Sequence, residues 1–114
     1  MTPSKHRYND GVVRIYRNSD RATDFGARKN VHSVKDMILI AKLDYAEQSK
    51  RQQDIEFAEQ MGFSLALKIK TLFIKAVDNK CKCVIEGCLY DIYSIDKTRT
   101  EMFLYLQEMG KIAE

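Results

Sequence analysis

Two alternating runs meet at Glu86-Gly87, and that junction constrains the fold more than any other feature of the chain. Residues 81–85 and 88–95 each interleave apolar and polar side chains, the period-two signature of strands with one buried face. A two-residue link between them fits a tight hairpin, because glycine enters positive φ without a Cβ penalty. Asn or Asp would suit the first turn position better than Glu86. Within this hairpin Val84, Gly87, Tyr90 and Ile92 spell V-x-x-G-x-x-Y-x-I.

The same period runs through FSLALKIKTLF, residues 63–73, which reads as one long strand. Phe63, Leu65, Leu67, Ile69, Thr71 and Phe73 fall on its apolar face. Ser64, Ala66, Lys68 and Lys70 fall on the other, expected to be exposed. Upstream, Val12 to Arg17 and Met37 to Tyr45 read as strands, the second with Leu39, Ala41, Leu43 and Tyr45 on one face. Asp96 to Thr100 predicts a further turn, followed by a last strand in which Met102, Leu104 and Leu106 share a face and Gly110 ends the pattern.

One helix interrupts the strands. Ser49 with Gln52 three residues later suggests a capping box, and Gly62 suits the left-handed position that ends a helix. The predicted helix spans 49–61. Its apolar members are few: Ile55 and Ala58 at one spacing, Phe57 and Met61 at another. So thin a stripe must dock on a sheet or on a neighbouring chain to be stable.

These elements predict a mainly β fold, a small antiparallel barrel or sandwich of five to six strands with one short α-helix and a long N-terminal loop. A chain of 114 residues is about one domain. The expected organisation is a flexible tail over 1–10, a long basic loop over 18–36, and a core over 38–109. Residues 1–36 carry eight Lys/Arg against four Asp/Glu, a net +4, and the rest eleven against twelve, a net −1. No apolar run reaches the ~20 residues of a membrane span. The first ten residues lack a signal-peptide core, so folding in a cytosol is expected.

Chemistry is sparse. Cys81, Cys83 and Cys88 are an odd set, and Cys81-x-Cys83 is too tight for the usual zinc pair, so they are expected to pack as small apolar groups. His6 and His32 lie in the irregular N-terminal third. No nucleophile elbow, phosphate loop, dinucleotide fingerprint or H-E-x-x-H helix is present. No catalytic, cofactor or metal residue is therefore assigned, and the chain does not read as an enzyme. A nucleic-acid-binding barrel is a separate possibility, with Lys68 and Lys70 beside Tyr16, Tyr90, Tyr93 and Tyr105, although aromatic and basic residues do not interleave as in RNA-reading motifs.

Four features in order resemble the head–tail adaptor, or head-closure, family of tailed bacteriophages. They are the strand entering the helix (ILIAKLDYAEQSKRQQ), the helix end EFAEQMGF, the alternating strand after it, and V-x-x-G-x-x-Y-x-I before TEMFLYLQ. The resemblance covers residues 38–108. It implies a phage or prophage virion protein: a ring of twelve copies beneath the portal, joining head to tail, assembled in the host cytoplasm. The implied partners are portal or adaptor proteins, tail-completion or tail-tube proteins, and packaged DNA; no membrane is implied. Some family members use a long loop near the ring axis to help retain DNA. Residues 18–36 are the candidate for that loop, with Arg21, Arg28 and Lys29 facing the channel. Phe57 and Met61, with exposed strand edges, are candidates for subunit contacts. A tail-completion or other neck protein shares this structural class.

Overall fold

The computed structural model describes residues 8–18 and 37–111. Apart from Asn18, the 18–36 loop lies outside the described residues, and so does most of the 1–10 tail. Six strands and one helix follow in the order β1 (Gly11–Asn18), β2 (Met37–Gln48), α1 (Gln52–Gln60), β3 (Leu67–Leu72), β4 (Lys82–Ile85), β5 (Cys88–Lys97) and β6 (Glu101–Lys111). The strands pair in the order β1-β2-β3-β6-β5-β4, and β4 returns to β1, so the sheet is a closed antiparallel barrel. Closure decides between barrel and sandwich. Every strand has two neighbours, but the pairing is partial: residues 37–44 of β2 pair only with β1, and residues 92–97 of β5 only with β6.

Alternation fills the interior as expected. Val13 and Ile15 from β1, Ile69 from β3, Cys83 and Ile85 from β4, Ile92 from β5 and Met102, Leu104 and Leu106 from β6 form one buried cluster. Val77 and Cys81, on the connection between β3 and β4, join the same cluster. Thr71 is also buried, and its hydroxyl donates to the Asp44 carbonyl at 2.6 Å. At the opposite end Tyr45 lies against Gly11, where a Cβ would stand 3.1 Å from the tyrosine oxygen. Residues 8–10, expected in the tail, are anchored: Asp10 donates its amide to Tyr45 (3.0 Å), and its carboxylate accepts from the Glu47 amide.

Two irregularities re-aim side chains. Between Ile92 and Ser94 the β5–β6 register slips, leaving Tyr93 as the extra residue. The slip lets Ile92 and Ile95, three apart, both pack on the core. A second slip, opposite Ile15 and Tyr16, does the same for Ile40 and Ala41 on β2. Gly110 does not end β6, since it pairs with Leu89 and the strand runs to Lys111.

The long strand is shorter than the alternation predicted. Only Leu67–Leu72 joins the ladder. Residues 63–66 form an extended bridge from the helix instead, with the Ser64 amide donating to Gln107 Oε1 (2.8 Å) and Ala66 to the Leu106 carbonyl (2.9 Å). Phe73 lies beyond the ladder, one third exposed. The helix is also shorter than 49–61. Its N-cap is Arg51 rather than Ser49, because the Asp54 carboxylate accepts the Arg51 amide at 3.1 Å. Gly62 does take a positive φ, 84°.

Glu86 and Gly87 have φ of 50° and 80°, both left-handed, so the hairpin turn is of the primed type. Glu86→Asn is expected to raise stability by about 1 kcal/mol, since Asn tolerates this conformation better. Gly87→Ala should lower it by about 1 kcal/mol for conformational reasons alone, because nothing lies within 4 Å of a Cβ built there. Urea denaturation midpoints read both changes, and a lowered midpoint for Glu86→Asn would contradict the assignment.

Candidate functional surface

The outer face of β3 is where sequence and structure differ most. Lys68 is 7 % exposed, not solvated. Its ammonium lies 3.0 Å from Asp54 Oδ2 on α1, and both side chains are buried. It also sits 5.2 Å from the centroid of the Tyr105 ring. The helix therefore lies over the outside of β3 and β6, and an ion pair stands at its contact. The physical reason is local: Asp54 is the third residue of α1, so its carboxylate serves the helix N-terminus through Arg51 and the strand through Lys68 together. Lys70, two residues on, is 3.8 Å from Glu101 Oε2. Glu101 also accepts a 2.6 Å hydrogen bond from Tyr8. Burial, reinforced by that carboxylate, pushes the Tyr8 hydroxyl up to about 12.

An aromatic group completes the contact. Phe63 stacks on Tyr93 with centroids 4.9 Å apart, and Tyr93 leans on Tyr105 at 6.3 Å. Tyr105 donates to Asp96 (2.9 Å), and its titration is raised by burial and by that carboxylate. The Tyr93 hydroxyl is buried with no hydrogen-bond partner among the described residues. Of the six residues suggested for nucleic-acid binding, four are engaged here, Lys68 under α1, Lys70 with Glu101, and Tyr93 and Tyr105 in the helix seat, and Tyr90 packs against the core.

Of the sequence-predicted contact residues, Phe57 and Met61 are 48 % and 55 % exposed. The helix buries Asp54 and Ala58 instead, and Phe57 and Met61 lie along the edge of that buried face, half exposed. Arg21, Arg28 and Lys29 lie outside the described residues. Other exposed large apolar groups are Val12, Ile38, Leu39, Leu72 and Phe73.

The barrel ends differ in charge. Strand directions place Asp10, Glu47, Glu86 and Glu108 towards one end. Arg17, Lys75, Lys80, Lys97 and Arg99 gather towards the other, where β3–β4 and β5–β6 connect. Two open clefts lie at that second end, of about 450 Å³ and about 490 Å³. The second is lined in part by Arg17, Asp78 and Cys81. Burial raises the Cys81 and Cys83 thiols, so neither is prepared as a nucleophile. Cys81 and Cys83 are buried and Cys88 is half-buried. Among the described residues no three His, Cys, Asp or Glu side chains gather in a metal-binding group, and no helix is long and apolar enough to cross a membrane.

No protein-family model matches the chain, and no curated protein matches it.

Removing one member of a buried ion pair leaves the other uncompensated, so Lys68→Met is expected to destabilise the fold by about 3 kcal/mol. Asp54→Leu together with Lys68→Met should recover most of that loss, because the desolvation of both charges vanishes too. Chemical denaturation of Lys68→Met, Asp54→Leu and the double variant measures this, and independent, additive losses would refute a coupled pair. The Asp54 carboxyl gives a pH signature. Burial acts to raise it, but the Arg51 amide and the Lys68 ammonium outweigh burial and hold it below its ordinary 3.8. A depressed carboxyl stabilises the fold above its unfolded value and loses that contribution as pH falls through the folded one. Wild type should thus lose stability below pH 3.8 more steeply than the double variant. Tyr93→Phe removes an unpaired buried hydroxyl and should raise stability by up to about 1 kcal/mol.

Proposed function

We propose that this protein is a structural subunit of a tailed-phage head–tail connector, a head-closure protein that forms a ring with copies of itself between portal and tail. One observation carries the proposal. A closed six-stranded barrel still displays a helix whose largest apolar residues, Phe57 and Met61, are about half exposed. An element that leaves two large apolar residues half exposed beside its buried face suits a subunit inserted between neighbours. The order of elements supports the same reading, since the helix lies between β2 and β3 and the glycine hairpin precedes the last strand, as the family resemblance implies. The thiol–carboxylate contact in the second cleft, Cys81 Sγ donating to Asp78 Oδ1 at 3.6 Å, involves a thiol that burial holds protonated. The partners in this reading are portal or adaptor proteins above and tail-completion or tail-tube proteins below, with packaged DNA in the channel.

Mass spectrometry of purified, DNA-filled particles tests the proposal. The protein is expected at a fixed ratio to the portal protein; its absence from such particles would remove the connector role. Recovery with free tails alone would make it a tail-completion protein instead. Neutralising Arg21, Arg28 and Lys29 together should increase the fraction of particles that lose their DNA. Unchanged retention would rule out a gating role for the 18–36 loop.

A further inference from the structure

We propose that α1 of one copy docks head-to-tail on the Leu72–Phe73 end of β3 in the next copy, and this deepens the ring reading above by naming both halves of its contact. Leu72 is 48 % and Phe73 36 % exposed. Cations surround them. The Lys97 ammonium is 5.3 Å from the Phe73 ring centroid and donates to the Lys75 carbonyl at 3.3 Å. The Phe73 amide donates to Thr100, beside the exposed Arg99. Asp96, on the neighbouring strand end, is held by the Tyr105 hydroxyl. Leu72 and Phe73 thus have Lys75, Lys97 and Arg99 nearby, while Glu101, the cross-strand partner of Leu72, is engaged by Lys70 and Tyr8.

The helix presents the complementary pattern. Phe57 and Met61 are half exposed along one edge of α1, Glu56 and Glu59 are exposed on its outer side, and the last turn contains no basic residue. The carboxylate of Asp54 is already neutralised by Lys68, so the outward charge of α1 comes from the two glutamates. Acid beside two large apolar groups meets base beside two others. That is charge complementarity of the kind that sets partner choice and orientation.

Geometry makes the contact intermolecular. The helix is anchored at Lys68, near the start of β3, whereas Leu72 ends the same strand. About 13 Å of strand lies between them, and Phe57 and Met61 remain about half exposed. One molecule cannot bring its two surfaces together, but neighbours can, and each then repeats the contact with the next copy. A two-fold pairing is disfavoured on charge: helix on helix opposes glutamates, and patch on patch opposes cations. The resulting contact is heterologous, closing into a ring if the rotation allows. Each patch has only two large apolar groups, so a single contact is weak and closure supplies much of the assembly's stability.

Sedimentation velocity at low salt, up to about 1 mM protein, should show mass above the 13.3-kDa monomer, falling as salt rises. Glu56→Lys/Glu59→Lys should stay monomeric, and so should Lys97→Glu/Arg99→Glu. All four positions are exposed, and circular dichroism melts confirm that both variants are folded. Mixing the two should restore assembly, since the basic helix of one then meets the acidic patch of the other. Phe57→Ser should weaken assembly without touching charge. Wild type that stays monomeric throughout, variants that assemble alone, or a mixture that fails to assemble overturns the proposal. The connector role is judged separately, by presence in particles, and stands or falls whichever way these masses come out.

Discussion

The closure of the sheet between β1 and β4 is the constraint on which the other features rest. Only three residue pairs make it: Arg14 with Val84, Ile15 with Cys83, and Tyr16 with Lys82. The central pair is fully buried on the inner face, so the seam is held by packing as well as by hydrogen bonds. An open version of this sheet would offer β1 and β4 as templates for another chain.

Attaching the helix is a separate problem, which the chain solves with charge. A nine-residue helix that buries only Asp54 and Ala58 has too little apolar contact to stay on a sheet by burial alone. Asp54 and Lys68 supply a directional contact, and Phe63, Tyr93 and Tyr105 seal it from water. A buried ion pair adds little net stability compared with apolar groups of the same size. Its distinct effect here is orientation: one oxygen bonds both the N-cap amide and the lysine, so the helix start is fixed relative to β3. Fixed in this way, α1 keeps Phe57 and Met61 half exposed along its edge.

Much of this was legible in the sequence, where a single physical rule governed. Alternation marked β1, β2, β5 and β6, and the Glu86-Gly87 turn followed from glycine's access to positive φ. The cysteines behaved as the small apolar groups their spacing suggested. Failures occurred where a second layer covered the sheet. Period-two reasoning assigns one face to the core and the other to water, so Lys68 was expected to be solvated. Nothing local distinguishes Lys68 from Lys70, and only Asp54, fourteen residues earlier and folded back over the strand, does so. Phe63 misled for the same reason, since it continues the apolar pattern of β3 yet packs on the outer-face Tyr93. The extra residue at Tyr93 is invisible to pattern reading, because a bulge is recognised only once the partner strand is known.

The two surfaces of the proposed contact are linked through β3. Lys68, near one end of this six-residue strand, seats the helix, and Leu72 at the other end forms part of the acceptor patch. Between them Ile69 and Thr71 are fully buried, so the strand is held by the core along its length. Donor and acceptor are therefore placed relative to each other by one short, well-packed element instead of by a loop. A heterologous contact repeated around a ring closes only if its rotation is the same at every step, and small angular errors accumulate over the copies. Rigidity between the two halves of the contact is what such closure demands. Placing both on one core-anchored strand meets that demand more directly than placing either on the long N-terminal connection.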